Sequence, residues 1–331
     1  MTSVTIEDIA KHVGVTKATV SLVLSGKRPM IRISDGTRQK VLQAARDLHY
    51  VPSLTARALA RGKTNSLGLV VGDIHSFYFS ELASMALHEA DARGYHLLIS
   101  ATEWHRDREL EKFDFLLQRR VDGIIMSTSA LRPGLPQYDY VMRHQFPVVT
   151  TEEETEGLPC INHDWTTGMT QAIAYLAQKG HTRVGFVAQA DRLAEKYPKL
   201  QAFLAACAEK KVEPVIYECS VRIEDARRLG KSLAGDSGRP RAVIVYSDFL
   251  ANAFIRGLRD TGLQVPHDLA VVGMDGTDMS EYSYLQLTSI ASDRKQMAVQ
   301  AVELLLDMIN TKQILAKRIL LPTNLVIRES A

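Results

Sequence analysis

Residues 5–25 read TIEDIAKHVGVTKATVSLVLS, and their spacing predicts two short helices joined by a tight turn. Ile6, Ile9, Ala10 and Val13 fall at i, i+3, i+4 and i+7, one apolar stripe at helical period. Thr5, followed three residues later by Asp8, is a capping-box-like start, and Gly14 ends the helix where the chain must turn sharply. Thr16 is placed to cap the second helix. That helix turns Val20, Val23 and Leu24 inward and leaves Lys17, Ala18, Ser21 and Leu22 on its other face. Small Ala10, the turn glycine and apolar Val20 stand where a helix-turn-helix needs a close crossing, a corner and a core contact. An ordinary αα-hairpin fits the same residues, so the choice rests on charge.

Residues 1–62 hold ten Lys and Arg against four acids, Glu7, Asp8, Asp35 and Asp47, a net of +6. The remaining chain holds 30 basic and 34 acidic residues, a net of −4. A basic head on a mildly acidic body suits phosphate contact by the head alone, whereas solvated faces usually mix signs. The head is therefore expected to bind DNA. Lys17 and Ala18, at the start of the second helix, are expected to face base edges, with Thr16 and Thr19 near phosphates. Leu22 offers only apolar contact, as to a thymine methyl.

Working outward, GKRPMIRIS is a basic loop with a proline stop, and Ser34 opens a third helix packed through Val41, Leu42, Ala45 and Leu48. Tyr50-Val51-Pro52 closes this unit of about 50 residues, near the lower limit for independent folding. In the following SLTARALARGKTNS, Leu54, Ala58 and Leu59 line one side of a short helix beside Arg57 and Arg61. So short a stretch is not helical alone in water, so it is a flexible linker or a helix that needs support.

Beyond residue 65 the texture changes. Apolar runs at Leu67–Val71, His96–Ser100, Val121–Met126, Phe146–Thr150, Arg183–Val187, Val215–Tyr217, Ala242–Tyr246 and Leu269–Gly273 alternate with helical patterns. Alternation over about 260 residues predicts two doubly wound lobes with parallel sheets covered on both faces. Ligands in such sheets sit at the carboxyl ends of strands. Those ends carry Asp73, Ser127, Asp164, Ser247-Asp248 and Asp275. Each alone is as well explained as a helix cap. Converging, they suit a cleft that hydrogen-bonds a polyol, with Phe77, Tyr78 and Phe79 as an apolar wall.

The sequence lacks a G-x-S-x-G elbow, a P-loop, a G-x-G-x-x-G after a strand and H-E-x-x-H. The Glu152–Glu154 run reads as a solvated loop. The three cysteines, Cys160, Cys207 and Cys219, have no C-x-x-C spacing and are expected to be reduced and buried, with no metal or disulfide role. No apolar stretch reaches membrane-spanning length, and the expected compartment is the cytoplasm. No cofactor and no catalytic residue is expected; the alternatives to a regulator are a cytoplasmic sugar-binding module and a sugar-acting enzyme.

TIEDIAKHVGVTKATVSLVLSGK, DLHYVPSLTARALARGKTNSLGLVV, LLQRRVDGIIM, QKGHTRVGFV, VPHDLAVVGMDG and LLPTNLVIRES, in this order, resemble the lactose-repressor (LacI/GalR) family. The GKRPMIRISDGT loop and DGIIMSTS are similar to its fructose-repressor, or catabolite repressor-activator, branch. The resemblance implies an all-α helix-turn-helix headpiece plus an α/β core of two doubly wound, periplasmic-binding-protein-like lobes. It places the headpiece at 1–50, the hinge at 51–64, one lobe at 65–160 plus 293–318 and the other at 161–292 plus 319–331. It implies a repressor, homodimeric or homotetrameric, on a pseudo-palindromic operator, controlled by a sugar or sugar-phosphate effector between the lobes. The family's effector positions fall on Tyr78, Phe79, Ser127, Asp164, Lys199, Ser247 and Asp275, and its minor-groove wedge on Leu59 beside Arg57. Lys199 stands where the family usually has arginine, a departure compatible with a phosphate on the ligand.

Overall fold

The computed structural model describes residues 4–24, 33–51, 62–127, 131–152, 154–189 and 197–331. The chain forms two compact units, Met1–Thr64 and Asn65–Ala331.

In the first unit α1 (Ile6–Val13) opens with a closed capping box, in which the Thr5 backbone N–H donates to Asp8 Oδ2 at 2.8 Å and Asp8 N–H donates back to Thr5 Oγ1. Gly14 stops the helix at φ +72°, a left-handed conformation open to glycine without strain. Thr16 caps α2 (Lys17–Leu24) through Thr19 N–H at 3.2 Å, and Ser34 caps α3 (Asp35–Asp47) through Thr37 N–H. Ile9, Ala10, Val20, Val23, Val41 and Ala44 are buried together. Ala44 lies deeper than the expected Leu42, Ala45 and Leu48, which close the edge of this core.

The second unit contains two six-stranded sheets. In chain order its elements are β1 (Ser66–Val71), α4 (Phe77–Ala92), β2 (His96–Ala101), α5 (Arg106–Gln118), β3 (Gly123–Met126), α6 (Pro136–His144), β4 (Val148–Thr151) and β5 (Cys160–Asp164). Then follow α7 (Trp165–Gln178), β6 (Arg183–Gln189), α8 (Pro198–Lys210), β7 (Glu213–Cys219), α9 (Ile223–Ala234), β8 (Ala242–Val245), α10 (Asp248–Arg259) and β9 (Ala270–Asp275). The chain ends with α11 (Asp278–Tyr282), β10 (Thr288–Ala291), α12 (Arg294–Thr311), β11 (Arg318–Pro322) and β12 (Asn324–Val326). The strand orders are β11-β5-β4-β3-β1-β2 and β12-β10-β9-β8-β6-β7, parallel throughout except for β10 with β12. The continuous apolar runs follow from two-sided burial. Leu67, Leu69 and Val71 of β1 face α4 and α12, while Val70 faces Phe113 and Leu116 of α5.

Three chain crossings join the lobes, after Asp164, at Ser292–Asp293 and at Thr323. The first and last differ from the expected breaks at 160/161 and 318/319. Cys160–Asp164 pairs in register with both β4 and Arg318–Pro322, so both strands complete the first sheet before the chain leaves it. Thr323 ties two crossings together, its Oγ1 donating to the Asp164 carbonyl at 2.7 Å.

Candidate functional site

Each sheet reverses its winding direction once, between β1 and β3 in the first and between β6 and β8 in the second. Strand carboxyl ends splay apart at such points and leave a crevice. Here both crevices open into one cleft. Asp73 follows β1 and Ser127 follows β3; Gln189 ends β6 and Ser247 follows β8. Tyr78 and Phe79 enter from the first turn of α4, Lys199 from the first turn of α8, and Asp275 from the end of β9.

Seven of the eight expected ligand residues therefore line one cleft. Asp164 does not; its carboxylate caps α7 by accepting from Thr166 N–H at 3.0 Å. Neither does Asp248 beside Ser247. It is fully buried and accepts from Ser280 Oγ and Ser289 Oγ, each at 2.6 Å, and from Thr277 N–H at 2.8 Å. Burial raises its carboxyl's pKa, and those donors oppose the rise.

Lys199 and Asp275 form the charged centre. Lys199 Nζ donates to Asp275 Oδ1 and to the Tyr246 carbonyl, each at 2.9 Å, and lies 4.4 Å from the Trp165 ring centroid. Burial pushes the Asp275 carboxyl up to about 7 against the pull of Lys199. Burial disfavours the Lys199 ammonium, but Asp275, together with Tyr197 and Glu152, outweighs that and holds its pKa above the usual lysine value. Two of the three Lys199 ammonium donors are thus engaged by Asp275 and the Tyr246 carbonyl.

Asp275 takes φ +102°, outside the comfortable range for a side-chain-bearing residue. Its carbonyl is held by Arg294 Nη1 at 2.5 Å, Ser292 Oγ at 2.9 Å and Ser292 N–H at 3.1 Å. Gly276 follows at φ +66°, where a Cβ would lie 2.5 Å from Ala291. Buried Arg294 also pairs with Glu81 of α4 at 2.7 Å, and Glu81 accepts from Asp278 N–H in the other lobe at 3.2 Å. This bridge crosses from one lobe to the other.

Sequence reasoning missed several lining groups. Glu152 is part-buried at φ +76° and accepts a short hydrogen bond from the Tyr78 hydroxyl, which corrects the solvated-loop expectation for this residue. Burial, with Glu152 adding to it, raises the Tyr78 pKa well above the usual value. Gln189, Trp104, Tyr197 and Phe249 also line the cleft. The only available signal was that Glu152 and Gln189 end or follow apolar runs. Behind Tyr78, His163 is buried with both ring nitrogens lacking a partner among the described residues, and burial lowers its pKa to about 4.

On the headpiece Thr16, Lys17, Ala18 and Ser21 are exposed, while Thr19 and Leu22 are half-buried. Lys17 Nζ meets Glu7 Oε2 of α1 at 2.7 Å. Arg57 and Leu59 lie outside the described residues. Among the described residues no cluster of His, Cys, Asp and Glu could hold a metal ion, and no helix is long and apolar enough to cross a membrane.

A family model described as bacterial regulatory proteins, lacI family, matches residues 5–53, and one described as a periplasmic binding protein-like domain matches residues 173–331. The chain is 30% identical to the HTH-type transcriptional regulator DegA of Bacillus subtilis (strain 168), over 98% of this chain and 97% of that protein. Among solved structures, the Lac repressor dimer bound to operator and the anti-inducer ONPF superposes with a TM-score of 0.85 at 23% identity, covering 99% of each chain. A LacI family transcriptional regulator from Enterococcus faecium with bound ribose gives a TM-score of 0.72 at 22% identity, covering 80% of this chain and 98% of that one.

Proposed function

The chain belongs to the lacI family of bacterial regulatory proteins and is a DNA-binding transcriptional regulator, and from that premise we propose how its parts divide the work. The headpiece, residues 1–50, docks α2 in the major groove of an operator half-site. Lys17 and Ala18 face base edges, Ser21 and Leu22 flank them, and Thr16 and Thr19 touch phosphates. Their exposure and the small side chains at Ala18 and Ser21 support close approach. Residues 51–64 form the hinge, with Leu59 as a wedge between base pairs and Arg57 beside it. An effector closes the two lobes about the cleft. By linkage, ligand and operator then change each other's affinity by the same factor, typically about 5–150-fold.

The observation that carries this reading is the meeting of both switch points in one polar, aromatic-walled cleft. Its described lining includes three carboxylates, Asp73, Glu152 and Asp275, and one ammonium, Lys199, already paired. Among the described lining residues a phosphate meets more acids than bases, whereas sugar hydroxyls meet ready acceptors. The effector proposed is therefore an uncharged sugar held by Asp73, Tyr78, Phe79, Ser127, Lys199, Ser247 and Asp275; Asp164 contributes as a cap. The relative from Enterococcus faecium carries ribose, and fructose enters through the resemblance of the GKRPMIRISDGT and DGIIMSTS segments. A thermal-shift screen of ribose, fructose, glucose and their phosphates tests this. An uncharged sugar at about 100 times its dissociation constant adds about 2.7 kcal/mol and raises Tm. Stabilisation by a sugar phosphate alone would reverse the ligand class.

A groove lined by Ile223, Tyr282 and Tyr284 of the second lobe and Phe77 of the first leaves Tyr284 89% and Tyr282 76% exposed. Aromatic exposure on this scale favours self-association, supporting the homodimer or homotetramer that a pseudo-palindromic operator requires. We place the protein in the cytoplasm, as a regulator without enzymatic activity.

A further inference from the structure

In the headpiece a carboxylate stands on the surface that the preceding proposal turns toward DNA. Asp8, the other acid of the first turn of α1, is used up in the capping box, where its Oδ2 accepts from Thr5 N–H and Thr5 Oγ1 at 2.8 and 2.7 Å. Glu7 has no part in that box. It reaches across to α2, where its Oε2 meets Lys17 Nζ at 2.7 Å, while its Oε1 lies 3.6 Å from Lys11 Nζ. The two lysines, Lys17 first, hold the Glu7 pKa below its usual value, so the group is an acceptor with no proton to give. As a source of stability an exposed pair like this counts for little. Unpaired carboxylates near phosphates also weaken DNA binding. Glu7 therefore makes physical sense on this surface if it meets a donor there.

The major groove offers one. In a C·G pair the cytosine N4 amine and the guanine O6 lie side by side, because they are hydrogen-bonded to each other. Cytosine N4 donates, and guanine O6 and N7 accept. An adjacent carboxylate and ammonium present the complementary acceptor and donor at the same spacing. Lys17 is the first residue of α2, the end of a recognition helix that approaches base edges, and exposed Ala18 and Ser21 leave the approach unobstructed. We infer that Glu7 is a specificity-determining residue, which with Lys17 reads a single C·G base pair in each half-site, Glu7 on cytosine and Lys17 on guanine. A T·A pair in that place is rejected, since thymine turns its methyl group toward the charged pair and adenine offers one acceptor where guanine offers two.

The inference rests on α2 as the base-reading helix. Selection from a random-sequence DNA duplex library with the full chain tests both, using wild type, Glu7→Leu, which has no acceptor, and Lys17→Ala. Wild type should enrich C·G at one position of each half-site. Glu7→Leu and Lys17→Ala should both lose enrichment at that position. Competition between C·G and T·A forms of the selected site should show discrimination falling about tenfold in Glu7→Leu. Retention of the full wild-type preference by Glu7→Leu, or loss of different positions in the two variants, would overturn the shared reading and leave α2 as the reader. If wild type enriches no sequence, base reading by α2 fails as well.

Discussion

In the headpiece Lys17 meets Glu7 at 2.7 Å with 64% and 47% of the two side chains exposed, whereas in the core Lys199 meets Asp275 at 2.9 Å with 9% and 7% exposed. Water already screens and solvates the first pair, so either partner can be exchanged for DNA at small cost. The second pair has lost its water, and each charge is tolerable only while the other is present. A lysine–carboxylate pair is thus an exchangeable contact in one unit and an obligatory one in the other. Mutations should separate the two cases by size of effect.

The largest effect is expected for Asp275→Ala. It leaves the Lys199 ammonium buried with the Tyr246 carbonyl and a ring face, and removes the acceptor proposed for ligand hydroxyls. Urea denaturation followed by tryptophan fluorescence should show the core about 3–5 kcal/mol less stable. A loss below about 1 kcal/mol would mean that the buried pair is not obligatory.

Next in size is a pH effect at His163. Its folded pKa is lowered to about 4 by burial, so its contribution is complete above the ordinary histidine value near 6.5 and is lost as pH falls through that window toward 4. Asp275 runs the other way. Its folded pKa is raised to about 7, so it costs stability as pH rises from the ordinary carboxylate range toward 7. The two partly cancel in wild type. His163→Leu should expose the Asp275 slope, and the stability of wild type minus His163→Leu should fall by roughly 3 kcal/mol between pH 7 and pH 4. A flat difference curve would place the histidine in contact with water.

The smallest effect belongs to the exposed pair. Lys17→Ala should change headpiece stability, read from hydrogen exchange of the Ile9 and Val20 amides, by less than about 0.5 kcal/mol, while altering base preference. A larger loss of protection would make Lys17 part of the headpiece's own structure.

The two units also differ in how much of them the sequence discloses. In the headpiece every decisive feature is local. Thr5 with Asp8, Gly14 at its turn and Thr16 with Thr19 act within a few residues, and a helical stripe reports the core directly. The core's sheets are legible from apolar runs because burial on both faces makes them continuous. β10 escaped notice because two of its buried residues, Thr288 and Ser289, are polar and leave Ile290 without an apolar run around it. For the cleft, strand-end logic finds Asp73, Ser127, Ser247 and Asp275 but cannot tell a lining residue from a cap. Asp164 is a cap here, and Asp248 is an internal brace. Partnerships across long separations are not written locally. Lys199 and Asp275 are 76 residues apart, Arg294 and Glu81 213.

The proposed linkage makes the cleft and the operator-binding surface share one equilibrium. The direct measurement is operator affinity, by fluorescence anisotropy, with and without a saturating sugar taken from the thermal-shift screen, in wild type and in Asp275→Asn. The account predicts a change of about 5–150-fold in wild type and little or none in Asp275→Asn. A wild-type protein that binds the sugar by thermal shift while its operator affinity stays constant would contradict it.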